Sequence, residues 1–288
     1  MKPAFSRRDI LALGAAGTFS PWLKGSALPD TVPMRDGVPR VDYHAHPEIG
    51  MTVDRAVAIS KERGVKFGLL QHAGIKESDY PDLVSNDDEL KAWIHQLEGK
   101  PVFKGVQAEL LNWMSAFSKE TVARLDYVLS DALTMPDKSG KMIKLWTPAF
   151  QCHDAQDFMD RYVDFHEEVM AKEPIDIIAN PTYLPEALEP DYDKLWTEKR
   201  MRKIIESAAR HHVAIEINSR YKVPRLAFLE MAKAARVKFS FGSNGHTTDA
   251  MGDIDYGVAM YRKLELTLDR FFQPAMPGKK PIEVRTLA

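Results

Sequence analysis

The sequence predicts an α/β protein in which seven parallel strands close into a TIM-type (β/α) barrel. Three observations predict it. Short β-rich runs alternate with longer helical patterns over about 250 residues, as parallel strands joined by crossover helices require. No repeat, low-complexity tract or second-domain boundary interrupts the alternation. Residue types that ligate metals or move protons recur at the carboxyl ends of the β-rich runs, where such barrels assemble their sites.

Taken in order, "RVDYH" is expected as the first strand and "TVDRAVAISKERG" as the helix after it, with Thr52 as its N-cap and Gly64 as its stop. "KFGLLQ" is the second strand, and "NDDELKAWIHQLEG" has apolar residues at three- and four-residue spacing, which predicts a helix. "VFKGVQAEL" and "DYVLS" follow as strands three and four, and "AQDFMDRYVDFHEEVMAK" as a long helix. "DIIAN", "VAIEIN" and "VKFSFG" complete the strands. Helices are expected between and after them in "LWTEKRMRKIIESAARHH", "VPRLAFLEMAKAAR" and "DAMGDIDYGVAMYRKLE".

The chain of 288 residues is 44% apolar and 28% charged, enough for one large core, and its net charge of -2 gives no bias toward nucleic acid or anionic membrane. Cys152 is the single cysteine, which excludes an internal disulfide framework and any thiolate cluster. A metal must therefore be held by His, carboxylate or amide groups. Arg7 and Arg8 precede a short apolar stretch from Ile10 to Phe19, too short to span a bilayer, and this resembles a twin-arginine export signal. The expected organisation is a signal over 1–27 cut after Ala27, a linker over 28–40, and the barrel over 41–288. It implies the twin-arginine (Tat) export machinery as a partner, a periplasmic location, and no membrane span in the mature protein.

The first strand ends in His44 and His46, the second in His72, and the third in Gln107 and Glu109. The fourth ends near Asp131, the fifth at Asn180, the sixth at Glu216 and Asn218, and the seventh at Asn244 and His246. Histidines two apart on an extended strand point to the same side and can share one cation. His153, His166, His211 and His212 fall in loops or helical patterns and are expected to be structural or solvent-facing. Trp113, Trp146 and Trp196 belong to the mouth or the core. Arg220 is expected as a solvated loop charge.

With these residues placed, "VDYHAH", "KGVQAEL", "VAIEINS" and "FGSNGHTTDAMGDIDYGVAMYRKLELT" resemble the polymerase and histidinol phosphatase (PHP) domain, over roughly Val41 to Thr267. The resemblance implies a PHP-like, distorted seven-stranded barrel that hydrolyses phosphoesters with metal-activated water. Carried over by position, the metal ligands retained are His44, His46, His72 and His246. The expected bridging glutamate is Gln107, with Glu109 one alternation further on. Asp131 substitutes for a fourth-strand histidine, the fifth-strand histidine is Asn180, and the final aspartate is Asn244. Amide oxygens compensate a divalent ion poorly, so one cation (Zn, Mn or Fe), at most two, is expected on His44, His46, His72 or His246 and Glu109. Glu109, Asp131 or Glu216 would act as base on a small-molecule substrate. One alternative is a non-catalytic barrel in which Gln107, Asn180 and Asn244 bind a small anionic ligand. Another is an amidohydrolase-type metal hydrolase, disfavoured by the "SNGH" spacing and the lack of a mid-barrel lysine.

Overall fold

A computed structural model describes residues 31–285, apart from 48–49, 77–79 and 81. The export-signal segment, 1–27, lies outside the described residues. Seven parallel strands are found where they were expected: β1 (Val41–Ala45), β2 (Lys66–Leu69), β3 (Phe103–Ala108), β4 (Tyr127–Ser130), β5 (Ile177–Ile178), β6 (Ala214–Asn218) and β7 (Phe239–Gly242). They pair in chain order. The ring is nearly closed by a bridge between Ala45 and Gly245, where His46 N donates to Gly245 O (2.9 Å) and Gly245 N to His44 O (3.2 Å).

Helices cover the outside of this ring: α1 (Val53–Arg63), α2 (Asp87–Leu97), α3 (Ala155–Lys172), α4 (Glu198–His211), α5 (Leu226–Ala234) and α6 (Asp255–Lys263). Their ends follow side-chain chemistry. The Thr52 hydroxyl accepts from Arg55 N, and Gly64 ends α1 in the left-handed region at φ 62°. Asp154 caps α3 by accepting from Gln156 N and Asp157 N, and α3 stops at Glu173, which precedes a proline. Phe158, Tyr162, Phe165 and Val169 form the buried face of α3, and α4 packs against it. No helix among the described residues is long and apolar enough to cross a membrane.

An aromatic plug fills the ring below the strand ends. Tyr43 packs its ring on Phe103, Tyr127 and Phe272, and the Tyr127 hydroxyl donates to Tyr43 O at 2.7 Å. Gly68 and Gly105 make room for it, because a Cβ at either would lie within 2.6 Å of Tyr127 side-chain atoms.

Several segments differ from the sequence reading. Within the stretch assigned to a linker, Met34–Arg35 and Val38–Pro39 pair as an antiparallel hairpin, and Val38 is buried. After β4 a second hairpin pairs Thr134–Pro136 with Met142–Lys144. Its turn is built by Asp137, whose carboxylate accepts from Ser139 N and Lys141 N. Strands of two or three residues are too short to show a period. Helix α6 begins at Asp255, not at Asp249, because 249–252 form turns whose Gly252 N donates to Asp42 Oδ2 (2.8 Å).

His166 is structural, as expected. It is buried on α3, and its Nδ1 donates to Tyr162 O at 2.8 Å while Nε2 has no partner. Burial pushes its pKa down to about 4, against a smaller opposing effect of the Tyr162 carbonyl. The unfolded chain takes up this proton near pH 6.5 and the folded one only near pH 4, so stability falls as the pH drops through that window, by up to about 3 kcal/mol. In urea titrations, His166→Leu is expected to lose less stability than wild type between pH 6.5 and pH 4. Equal losses would show that His166 does not set this slope.

Candidate functional site

The strand ends converge as the sequence reading expects. His44, His46, His72 and His246 form one cluster at the carboxyl end of the barrel. The ring of His46 stacks on His246 (centroids 4.6 Å apart, 6° between planes) and on His72 (4.9 Å, 14°), and meets His44 edge-on (5.1 Å). His72 in turn stacks on Tyr80 at 4.7 Å.

Carboxylates stand behind two of these histidines. Glu216 Oε1 lies 2.6 Å from His44 Nδ1, and its Oε2 accepts from Asn180 N (2.9 Å) and Asn218 Nδ2 (3.1 Å). Glu109 Oε1 lies 2.6 Å from His72 Nδ1. Both glutamates are buried and neither lines the adjoining cavity. Glu216, a candidate base by sequence, has both oxygens engaged and acts on the site through His44. Glu109, a candidate ligand and base, likewise orients His72. The approach of Glu216 depends on Gly242, where a Cβ would sit 1.8 Å from Glu216 Oε1 and 2.7 Å from His44 Cβ.

The amides interlock with this arrangement. Gln107 Oε1 lies 3.1 Å from His44 Nε2, while its Nε2 donates to Asp131 Oδ2 (3.4 Å). Asn180 Nδ2 donates to the same oxygen at 3.4 Å, and its own buried Oδ1 has no partner. Asn244 Oδ1 lies 2.8 Å from His246 Nε2. Asn180 and Asn244 both have left-handed backbones, φ 49° and 46°, a conformation that asparagine tolerates better than most residues.

Electrostatics divides the groups. Burial, reinforced by the three neighbouring histidines, holds the pKa of His46 well below its ordinary value. Neither His46 ring nitrogen has a hydrogen bond of acceptable geometry, although the Gln107 side chain lies near it. For His44, burial opposes the charged form, but the Glu216 carboxylate outweighs it and raises the pKa. Burial and the Glu109 charge push Asp131 up to about 7, against the hydrogen bond from Leu133 N.

A cavity of about 430 Å³ opens over the cluster. Its lining includes His72, Gln107, Asp131, Asn244 and His246, together with Tyr80, Lys144, Trp146, Arg220 and Tyr221. Arg220 is therefore at the cavity, not only a solvated loop charge; its guanidinium donates to Asn244 O at 3.3 Å. Lys144 sits over the Tyr80 ring at 4.7 Å. Tyr80, Lys144 and Tyr221 are cavity residues that no sequence motif marks. Their one available signal is position in loops following strand ends, which is shared with many loop residues. Trp146 lines the cavity, whereas Trp113 and Trp196 are core.

No family model and no protein of curated function matches this sequence. The fold is similar to that of histidinol phosphate phosphatase from Lactococcus lactis, solved in complex with zinc, L-histidinol and phosphate. The two superpose with a TM-score of 0.55 at 13% identity, covering 86% of this chain and 99% of that one. The barrel is PHP-like. A probable 2-pyrone-4,6-dicarboxylic acid hydrolase from Acinetobacter baumannii, solved with citric acid bound, reaches a TM-score of 0.39 at 14% identity over 80% of this chain and 93% of its own. That likeness is too weak to carry an argument.

In this PHP-like barrel, Gly242→Ala is expected to force Glu216 off His44 and to destabilise the protein by about 1–3 kcal/mol. Urea unfolding measures it, and a loss below about 0.5 kcal/mol would show that the pair shifts freely.

Proposed function

We propose that the protein is a metal-dependent hydrolase of small anionic esters, phosphomonoesters foremost. The observation that carries this reading is the cluster of four imidazoles built around a buried, partnerless His46 and opening onto a cavity that holds Lys144 and Arg220.

The donor chemistry fits a divalent cation. His46 is held neutral with no hydrogen bond on either ring nitrogen; carboxylates at Nδ1 of His44 and His72 make Nε2 the atom each ring would offer a cation, and at His44 that cation would displace Gln107 Oε1, 3.1 Å from Nε2. His44, His46, His72 and His246 would hold one cation, zinc being the metal in the Lactococcus neighbour. Such a cation, when bound, would supply Lewis-acid polarisation of a phosphoryl oxygen and a lowered pKa of water. Lys144 and Arg220 attract and orient the substrate anion. Asp131 lies on the cavity wall, its pKa pushed up to about 7, suited to taking a proton from the attacking water as the ester P–O bond breaks and the leaving alkoxide takes a proton from solvent. Gln107 and Asn180 donate to Asp131 Oδ2 at 3.4 Å and Leu133 N to its Oδ1 at 3.0 Å.

A second reading rests on the amides. Gln107 occupies His44 Nε2, and among the described residues no three His, Cys, Asp or Glu side chains stand in ready coordination geometry. On that reading the barrel binds a small anion without chemistry. Metal analysis and turnover separate the two. The hydrolase is expected to carry about one zinc, manganese or iron per chain, lost together with phosphomonoesterase activity in the His44→Ala/His46→Ala double variant. Asp131→Asn is expected to keep the metal and lower kcat by at least about 100-fold. Full turnover in the double variant, or folded wild type that takes up no metal, would overturn the reading.

The proposed site of action is the periplasm, on the strength of Arg7 and Arg8 ahead of the short apolar stretch. A reporter fused to residues 1–27 is expected to stay in the cytoplasm when both arginines become lysine. Continued export of that fusion would remove the twin-arginine assignment.

A further inference from the structure

Beside the first cavity lies a second of about 430 Å³, walled by Trp146, Pro148, Phe150, Tyr183 and Pro185. The two adjoin along one stretch of chain. Trp146 and Thr147 line both, and Tyr183 of the second packs on Tyr221 of the first with ring centroids 4.7 Å apart at 60°. Their shared border is aromatic, with Trp146 lining both cavities. Trp146 is 38% exposed, yet the segment that carries it is well anchored. Leu145 N donates to Leu133 O (2.8 Å), Thr147 Oγ1 to Lys144 O (2.9 Å), and Phe150 N to Thr147 O (3.0 Å). An exposed indole fixed at the junction of two cavities is a contact surface awaiting a partner.

Charge sets the direction in which a ligand lies. Lys144 and Arg220 belong to the first cavity, beside Asp131, whereas the second is lined by no lysine or arginine among the described residues and by one carboxylate, Glu186. An anion is drawn to the first and repelled from the second, so the part of the ligand that reaches the second cavity carries no negative charge.

We infer that the second cavity receives the leaving group of the substrate and that this group carries an aromatic ring. The inference rests on the proposed hydrolase reading for the identity of the reacting end. The substrate class is then a phosphomonoester of an aryl-bearing alcohol. The hairpin after β4 acts as the specificity element, since it leads into both Lys144 and Trp146.

The test compares 3-phenylpropyl phosphate with ethyl phosphate, whose leaving alkoxides are similar in basicity and differ in the apolar surface they can bury. The phenyl ester is expected to have a kcat/KM at least about tenfold higher. Tyr183→Ala, which removes an aromatic wall, and Ala187→Trp, which fills the second cavity from its rim, should each bring the ratio below about threefold. Equal kcat/KM values in wild type, or a ratio unchanged in both variants, would overturn the inference and leave the hydrolase standing. Calorimetry with 3-phenylpropylphosphonate and ethylphosphonate reads the same preference without turnover. If neither ester is cleaved but the phenyl phosphonate binds about tenfold tighter, and Ala187→Trp abolishes the difference, the aromatic cavity stands and the hydrolase falls. No cleavage and no difference in binding would overturn both.

Discussion

The carboxylate of Asp42 is buried in the first strand and accepts four hydrogen bonds: from His44 N and Ser243 N on one oxygen, and from Ser243 Oγ and Gly252 N on the other. Burial raises its pKa even so, which measures how strongly the surroundings resist a charge there. With all four donors in place the side chain ties the first strand to the loop after the last. That loop carries Asn244 and His246, and the Ala45–Gly245 bridge that nearly closes the ring lies within it. Without this tie the two ends of the sheet would expose unpaired edges, and His246 would not be held against His46.

A second level of support is built on this closure. The histidines do not position themselves: Glu216 and Glu109 hold two of them by Nδ1, and Glu216 is held in turn by Asn180 N and Asn218. Of the three carboxylates that the sequence offers for proton transfer, Glu109 and Glu216 therefore act as orienting groups, and Asp131 lines the cavity. Amides at Gln107, Asn180 and Asn244 fill gaps between charged neighbours. They provide hydrogen bonds without adding further negative charge to a region that already contains three buried acids, Asp42, Glu109 and Glu216.

The remaining features are additions to the barrel. The hairpin at 134–144 leads Lys144 and, just beyond it, Trp146 to the cavity, and Tyr80 lines it as well. The barrel supplies rigidity below, through the aromatic plug around Tyr43 and Tyr127, while the loops supply shape above.

By itself the sequence determined the seven strands, the six longer helices among the described residues and the convergence of His44, His46, His72 and His246. These follow from local periodicity and from the rule that parallel barrels direct all strand ends to one face. Thr52 and Gly64 were legible for the same reason, since a cap bonds only to its own helix. Only the tertiary structure decided which carboxylate backs which histidine. Glu216 and His44 are separated by 172 positions and meet across the barrel, through a gap that Gly242 leaves open. It also decided that Arg220 and Trp146 face the cavity and that a hairpin lies within the stretch read as a linker. Contacts between residues so far apart in the chain depend on how the ring closes, and no spacing along a strand encodes that.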